Sequence, residues 1–206
     1  MDKLTLHEYA ASGNCYKIRL TAAHLGLPLE RRQVDIMKGE SRTPDYLAKV
    51  NANGRVPVLQ VGDRFMPESN AAIFYLARGS RLIPEGRWDE AEMLRWMFWE
   101  QYSHEPNIAT LRFWLVFVGR DRLGDAQRAQ IDGKTAAGNA ALALMDDHLA
   151  RGDWFAGDAF SLADIALYAY THVAEEGGGF SLAGYPNIGR WLARVSDLPG
   201  HVAITA

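Results

Sequence analysis

The sequence predicts two structural classes in one chain: an α/β domain over residues 1–78 and an all-helical domain over residues 89–206, joined by a linker at 79–88. Three observations carry this. Strand and helix periods alternate up to residue 78, and only the helical period follows residue 88. The stretch between is polar and contains Pro84 and Gly86, which interrupt both periods.

The first domain opens with Leu4 and Leu6 alternating with Lys3, Thr5 and His7, a strand pattern. Cys15, Ile18, Ala22 and Leu25 then share one helical face that stops at Gly26. Residues 31–36 read as a second strand, which a right-handed crossover places parallel to the first. Residues 44–50 read as a short helix or a loop. Val58, Leu59 and Val61 form an apolar strand, separated from Arg64-Phe65-Met66 by Gly62-Asp63, a two-residue hairpin turn with positive φ expected at Gly62. Ile73, Leu76 and Ala77 lie at helical spacing after Pro67-Glu68-Ser69, with Gly79 as the stop.

In the second domain, Ala91, Leu94 and Phe98 share a face, as do Ile108, Leu111, Leu115 and Val118, with Pro106 kinking or breaking the rod between them. Gly138, Leu142, Met145 and Leu149 make the next stripe. Ser161 and Asp164 form a capping box, and Phe160 is placed to staple onto Ile165. Leu162, Ile165, Ala166, Ala169 and Val173 repeat at core spacing, so that helix is expected to be buried. Ile188, Trp191, Leu192 and Val195 form the last stripe.

Composition narrows the function. At 206 residues and 48% hydrophobic the chain can bury a substantial core. A net charge of −3 with scattered basic residues speaks against a general nucleic-acid binder. The opening stretch lacks a signal-peptide pattern, no apolar run approaches membrane-spanning length, and a single cysteine excludes an internal disulfide. These features fit a soluble protein of the cytoplasm, with no nucleic acid or membrane as partner.

Residues 51–78 hold the densest constellation. Val56-Pro57 heads a strand, where the missing ladder hydrogen bond is expendable; a cis bond there would leave the Val56 backbone groups facing outward, open to an extended peptide. Ser69 stands at a helix start, which offers N–H groups and partial positive charge to a carboxylate, while Glu68 offers negative charge to an amine. Each piece alone is also an ordinary turn or cap. Together they suit a short peptide that carries α-amino and α-carboxylate groups at one end.

The run Val56-Pro57, hairpin, Glu68-Ser69, helix resembles the glutathione-binding half of the cytosolic glutathione transferase family. The second half is similar too, in SLADIALYAY from Ser161 and YPNIGRWLARVSDLP from Tyr185, so the likeness covers nearly the whole chain. The resemblance implies a thioredoxin-like domain followed by a helical bundle, and a homodimer. It also implies glutathione as co-substrate with no metal, and a detoxifying conjugation of its thiolate to a small hydrophobic electrophile. Val56, Glu68 and Ser69 then hold the tripeptide, Arg55 is placed to meet a ligand carboxylate, and Lys38 lies where the family places a cation near the glycine end; each is otherwise a solvated charge, Lys38 above all. Tyr9, Tyr102 and Phe113 are candidates for the electrophile pocket, expected between the 9–12 loop and the kinked long helix.

The catalytic group is expected in Ala11-Ser12-Gly13-Asn14-Cys15, between the first strand and first helix. A hydroxyl or amide ahead of a helix start stabilises a thiolate relative to a thiol. Within the family the zeta-type serine and the beta-type cysteine both correspond to Ser12, and the threonine-x-asparagine pair of bacterial nu-like enzymes corresponds to Ser12 and Asn14. Ser12 is the expected thiolate stabiliser, assisted by Asn14; helix capping accounts for the same residues. Cys15 matches neither and is read as a core-facing residue, with Tyr9 a lesser competitor as hydroxyl donor. Two alternatives stay open: a nu-like glutathione-dependent disulfide reductase, and a non-catalytic module that keeps the fold. Zinc, P-loop and GxSxG patterns are missing, and Gly177-Gly178-Gly179 lacks the preceding strand of a dinucleotide fingerprint.

Overall fold

A computed structural model describes residues 2–206; Met1 lies outside the described residues. The chain divides into two units, one comprising residues 1–83 with Leu198–Ala206, the other Pro84–Asp197. The break falls inside the 79–88 stretch. The expected all-helical domain of 89–206 thus loses its last nine residues to the α/β unit, because side chains of the first helix bind their backbone.

Unit 1 contains β1 (Leu4–Glu8), α1 (Gly13–His24), β2 (Glu30–Gln33), α2 (Pro44–Lys49), β3 (Val58–Val61), β4 (Arg64–Pro67) and α3 (Ser69–Ala77). The sheet order is β2-β1-β3-β4, with β1 parallel to β2, antiparallel to β3, and β3 antiparallel to β4. This is the thioredoxin-like arrangement. β1 is buried along its whole length, and the edge strand β2 is charged and exposed, which blunts edge-to-edge pairing. The hairpin turns at Gly62, whose φ of +57° suits a residue without Cβ, and the register pairs Val61 with Arg64.

The second strand is shorter than the predicted 31–36. After Gln33 the Asp35 carboxylate accepts the N–H groups of Met37 (3.0 Å) and Lys38 (3.2 Å) and caps a 3₁₀ turn, Ile36–Lys38, which ends the extended run.

Unit 2 contains α4 (Arg87–Trp99), α5 (Glu105–Arg112), α6 (Asp125–Arg128), α7 (Ile131–Leu149), α8 (Leu162–Thr171) and α9 (Pro186–Ser196). α4 begins at Arg87, so the last two residues of the predicted linker are helical. Pro106 does not break the rod. It occupies the first turn of α5, where its missing N–H is expendable, and a π-helical turn, Glu100–His104, absorbs the change of register. A second π-helical stretch, Phe113–Gly119, follows. All of α8 is buried, Trp191 and Ile188 of α9 are buried, and Trp96, Phe155 and Trp191 stack edge to face within this core.

Candidate active site

The helix starts of α1 and α3 meet, because the Ser69 hydroxyl donates to Asn14 Oδ1 at 3.0 Å across 55 residues of sequence. Asn14 and the Glu68-Ser69 pair, read separately from the sequence, are therefore one cluster. A second bond runs beside it: the fully buried Lys17 donates from Nζ to Asn70 Oδ1 at 3.3 Å. Two helix N-termini point their first-turn donors into this region, and a buried cation lies one turn behind Asn14, so the cluster favours an anionic ligand.

Ser12 is the N-cap of α1. Its hydroxyl accepts the Cys15 N–H at a long 3.4 Å, and its own N–H donates to Tyr9 O at 2.9 Å, which closes the loop that carries it. A hydroxyl that accepts one N–H keeps its own proton to donate. Cys15 is wholly buried, and burial pushes its thiol up to about 12, so it stays protonated near neutrality. That matches the core-facing reading and excludes Cys15 as a nucleophile.

Glu68 has φ +71° and ψ 109°, and among the described residues it alone has positive φ without being glycine. Such a backbone costs about 1–3 kcal/mol, which a binding role would rationalise. Its exposed carboxylate makes no capping bond to α3, and so faces the solvent side of the cluster.

The Val56-Pro57 bond is cis, and the strand ladder begins only at Val58, so Val56 lies outside it. The preceding turn is held by two donors to the Arg55 carbonyl, Tyr46 Oη at 2.9 Å and Asn51 Nδ2 at 3.0 Å. The Arg55 side chain is exposed. Lys38 is 78% exposed and pairs with Asp35 at 3.1 Å. Tyr9 is half-buried in unit 1; Tyr102, 89% exposed, and Phe113, stacked on Phe117, belong to unit 2. Lys17, Asn70, Tyr46 and Asn51 support the site without standing in any of the sequence motifs. Only Lys17 carried a signal, as a lysine one helical turn after Asn14 on the same face. Among the described residues no group of three His, Cys, Asp or Glu side chains is placed to hold a metal, and no helix is long and apolar enough to cross a membrane.

Known proteins share this architecture. The family models for the glutathione S-transferase N-terminal and C-terminal domains match residues 6–81 and 107–199. The glutathione S-transferase GstB of Escherichia coli strain K12 is 31% identical over 201 residues, spanning 95% of this chain and 94% of its own. A solved glutathione S-transferase from Pseudomonas fluorescens Pf-5 is 43% identical with a TM-score of 0.92, covering 98% of this chain and 99% of that one. A possible glutathione S-transferase from Rhodopseudomonas palustris is 45% identical with a TM-score of 0.91, covering 98% and 89%. With both domain models matched in order and relatives aligned along nearly its full length, the chain belongs to the glutathione S-transferase family.

Proposed function

We propose that this protein conjugates the thiolate of glutathione to a small hydrophobic electrophile, with Ser12 as the group that stabilises the thiolate. The observation that carries the reading is the 3.0 Å bond from Ser69 to Asn14, which brings the two helix starts together beside Ser12. The γ-glutamyl end binds there: its carboxylate takes the backbone N–H groups at Ser69, whose hydroxyl proton goes to Asn14, and its ammonium takes Glu68. The peptide body runs along the Val56 backbone, and Lys38 and Arg55 supply cations for the glycine carboxylate.

Bound this way, the cysteinyl thiol lies toward the start of α1. A free thiol titrates at about 8.5, and lowering it by roughly one to two units makes thiolate the main species near neutrality. The Ser12 hydroxyl donates to the sulfur, Asn14 keeps Ser69 in place, and the helix field favours the negative charge. Tyr9 is an aromatic candidate for contact with the electrophile in unit 1, and Phe113 is one in unit 2. The exposed Phe98 and Tyr102 side chains suit a homodimer, and we place the protein in the cytoplasm, where reduced glutathione is held. Sedimentation giving only monomer would remove the dimer.

The test is an ultraviolet difference titration of bound glutathione in wild type and Ser12→Ala, with binding followed by calorimetry. Both proteins are expected to bind, and the thiolate signal at neutral pH is expected to fall roughly ten- to twentyfold in the variant, to the level of free glutathione. An undiminished signal in Ser12→Ala passes the role to Asn14, Tyr9 or the helix terminus. No binding to wild type ends the transferase reading.

A further inference from the structure

Residues 198–206 carry no regular helix or strand, yet three side chains of α1 hold four of their backbone oxygens. His24 Nδ1 donates to Pro199 O at 3.1 Å, Tyr16 Oη to Val202 O at 2.6 Å, and Arg19 to Ile204 O at 3.0 Å and Ala206 O at 2.9 Å. From β2, Arg31 Nη1 also donates to Ala206 O, at 2.7 Å. Gly200, at φ +90°, lies so close that a Cβ on it would stand 3.0 Å from the His24 Cα. This segment is built onto α1 at every second or third residue.

Arg19 connects it to the catalytic loop. Its side chain is only 4% exposed, and besides the two segment oxygens its Nη2 donates to Ala10 O at 2.6 Å. Ala10 is two residues before Ser12, inside the turn closed by the Ser12 N–H to Tyr9 O bond. The counter-charge is Glu8, fully buried, 3.1 Å from Arg19 Nε and bound also by Arg31 and by Gln33 Nε2 at 2.9 Å. A guanidinium is a rigid planar fork, so four oxygens around it fix both its plane and its rotation. With the Ile204 and Ala206 oxygens withdrawn, buried N–H groups lose their partners, and the plane turns to recover them.

We propose that Arg19 is a positioning residue for the thiolate site, and that residues 204–206 act through it: their backbone oxygens hold the guanidinium where it pins the Ala10 carbonyl, and with it the loop carrying Ser12. The inference rests on the reading of Ser12 as thiolate stabiliser. Displacing that hydroxyl by about 1 Å is enough to cost up to roughly 10²-fold in rate.

The experiment compares wild type, a variant lacking residues 204–206, Arg19→Lys and the double variant. Three readouts are taken: the thiolate titration of bound glutathione, its dissociation constant, and amide hydrogen exchange over residues 9–16. The deletion is expected to raise the thiolate midpoint by about half a pH unit or more, roughly a threefold loss of thiolate well below the midpoint, with affinity within about twofold. Exchange at 9–12 is expected to speed up. Arg19→Lys should reproduce both changes with the segment intact, because an ammonium cannot span the same oxygens, and the double variant should add little to either single one. A deletion that lowers melting temperature but leaves the midpoint and the 9–12 exchange at wild-type values overturns the proposal. If Arg19→Lys fails to fold, the deletion decides alone. If wild-type glutathione shows no thiolate dependent on Ser12, that earlier reading falls, and the exchange at 9–12 still decides whether the segment and the loop are coupled.

Discussion

Two helices among the described residues have serine as their N-cap, and they use it in opposite ways. At α8 the Ser161 hydroxyl accepts the Ala163 N–H at 3.3 Å, and the Asp164 carboxylate folds back onto the Ser161 N–H at 2.9 Å and hydroxyl at 3.1 Å. The other Asp164 oxygen accepts the Phe155 N–H at 3.2 Å and the Trp191 Nε1–H at 3.0 Å. All of this is buried, and the helix end is sealed. At α1 the third helical position is Cys15, which offers no acid to close the box, and the Ser12 cap bond, at 3.4 Å, stands without a reciprocal one. A helix end closed by a buried capping box is structure; one with no acid to close the box, beside a half-buried hydroxyl, is a place for an anion.

The largest effect is expected at the sealed end. Asp164→Ala leaves four donors without an acceptor in the core and should destabilise by about 3–5 kcal/mol in chemical denaturation. A loss below about 1 kcal/mol would mean that the two ends differ less than their geometry says. The open end should respond in function instead: Ser12→Ala, which removes about the same cap, should change stability by no more than about 1 kcal/mol.

Titration separates the two ends further. Burial pushes the Asp164 carboxyl up to about 6 from 3.8, against the pull of its hydrogen bonds. The native value lies above the unfolded one, so the native state holds the extra proton. The stabilisation is therefore fully present below about pH 4 and is lost as pH rises through about 6. Asp164→Asn cannot ionise; the stability difference between it and wild type should change across that window by at most about 3 kcal/mol and be flat above pH 7. A flat difference throughout would show the carboxylate ionised in the core at all these pH values.

Ser69→Ala removes the hydroxyl whose bond to Asn14 ties the two helix starts together, and is expected to weaken glutathione binding about tenfold, with Glu68→Gln weaker in effect, both read by calorimetry. Unchanged affinity in both would detach this pair from the open end. The smallest effect belongs to Cys15→Ala. It should leave the thiolate titration within about twofold and cost on the order of 1 kcal/mol of burial. A lost thiolate signal would make Cys15, and not Ser12, the group that matters at α1.

How much of this was legible follows from distance along the chain. The capping box at Ser161, the hairpin at Gly62 and the helix starts at Ser12 and Ser69 are each written within four or five residues, and each formed where its pattern stood. The second strand ended early because a side chain three residues beyond it, Asp35, captured the backbone first. Pro106 in the sequence predicts a kink or a break, yet a π-helical turn keeps the rod continuous, a choice that depends on core packing around Glu100 and His104, both buried.

Sequence by itself determined the order of elements, the two classes of domain, the family, and the residues Ser12, Asn14, Val56, Glu68 and Ser69 as candidates, because periodicity, capping and turn chemistry are local properties of the chain. Only the tertiary structure decided that Asn14 touches Ser69, that Lys17 backs the cluster through Asn70, and that residues 198–206 return to the α/β unit. It also decided that Glu8, Arg19 and Arg31 gather around one buried charge. Those contacts join positions tens to nearly two hundred residues apart, where no spacing rule operates, and they are selected by which donors and acceptors the packed core leaves in need of one another.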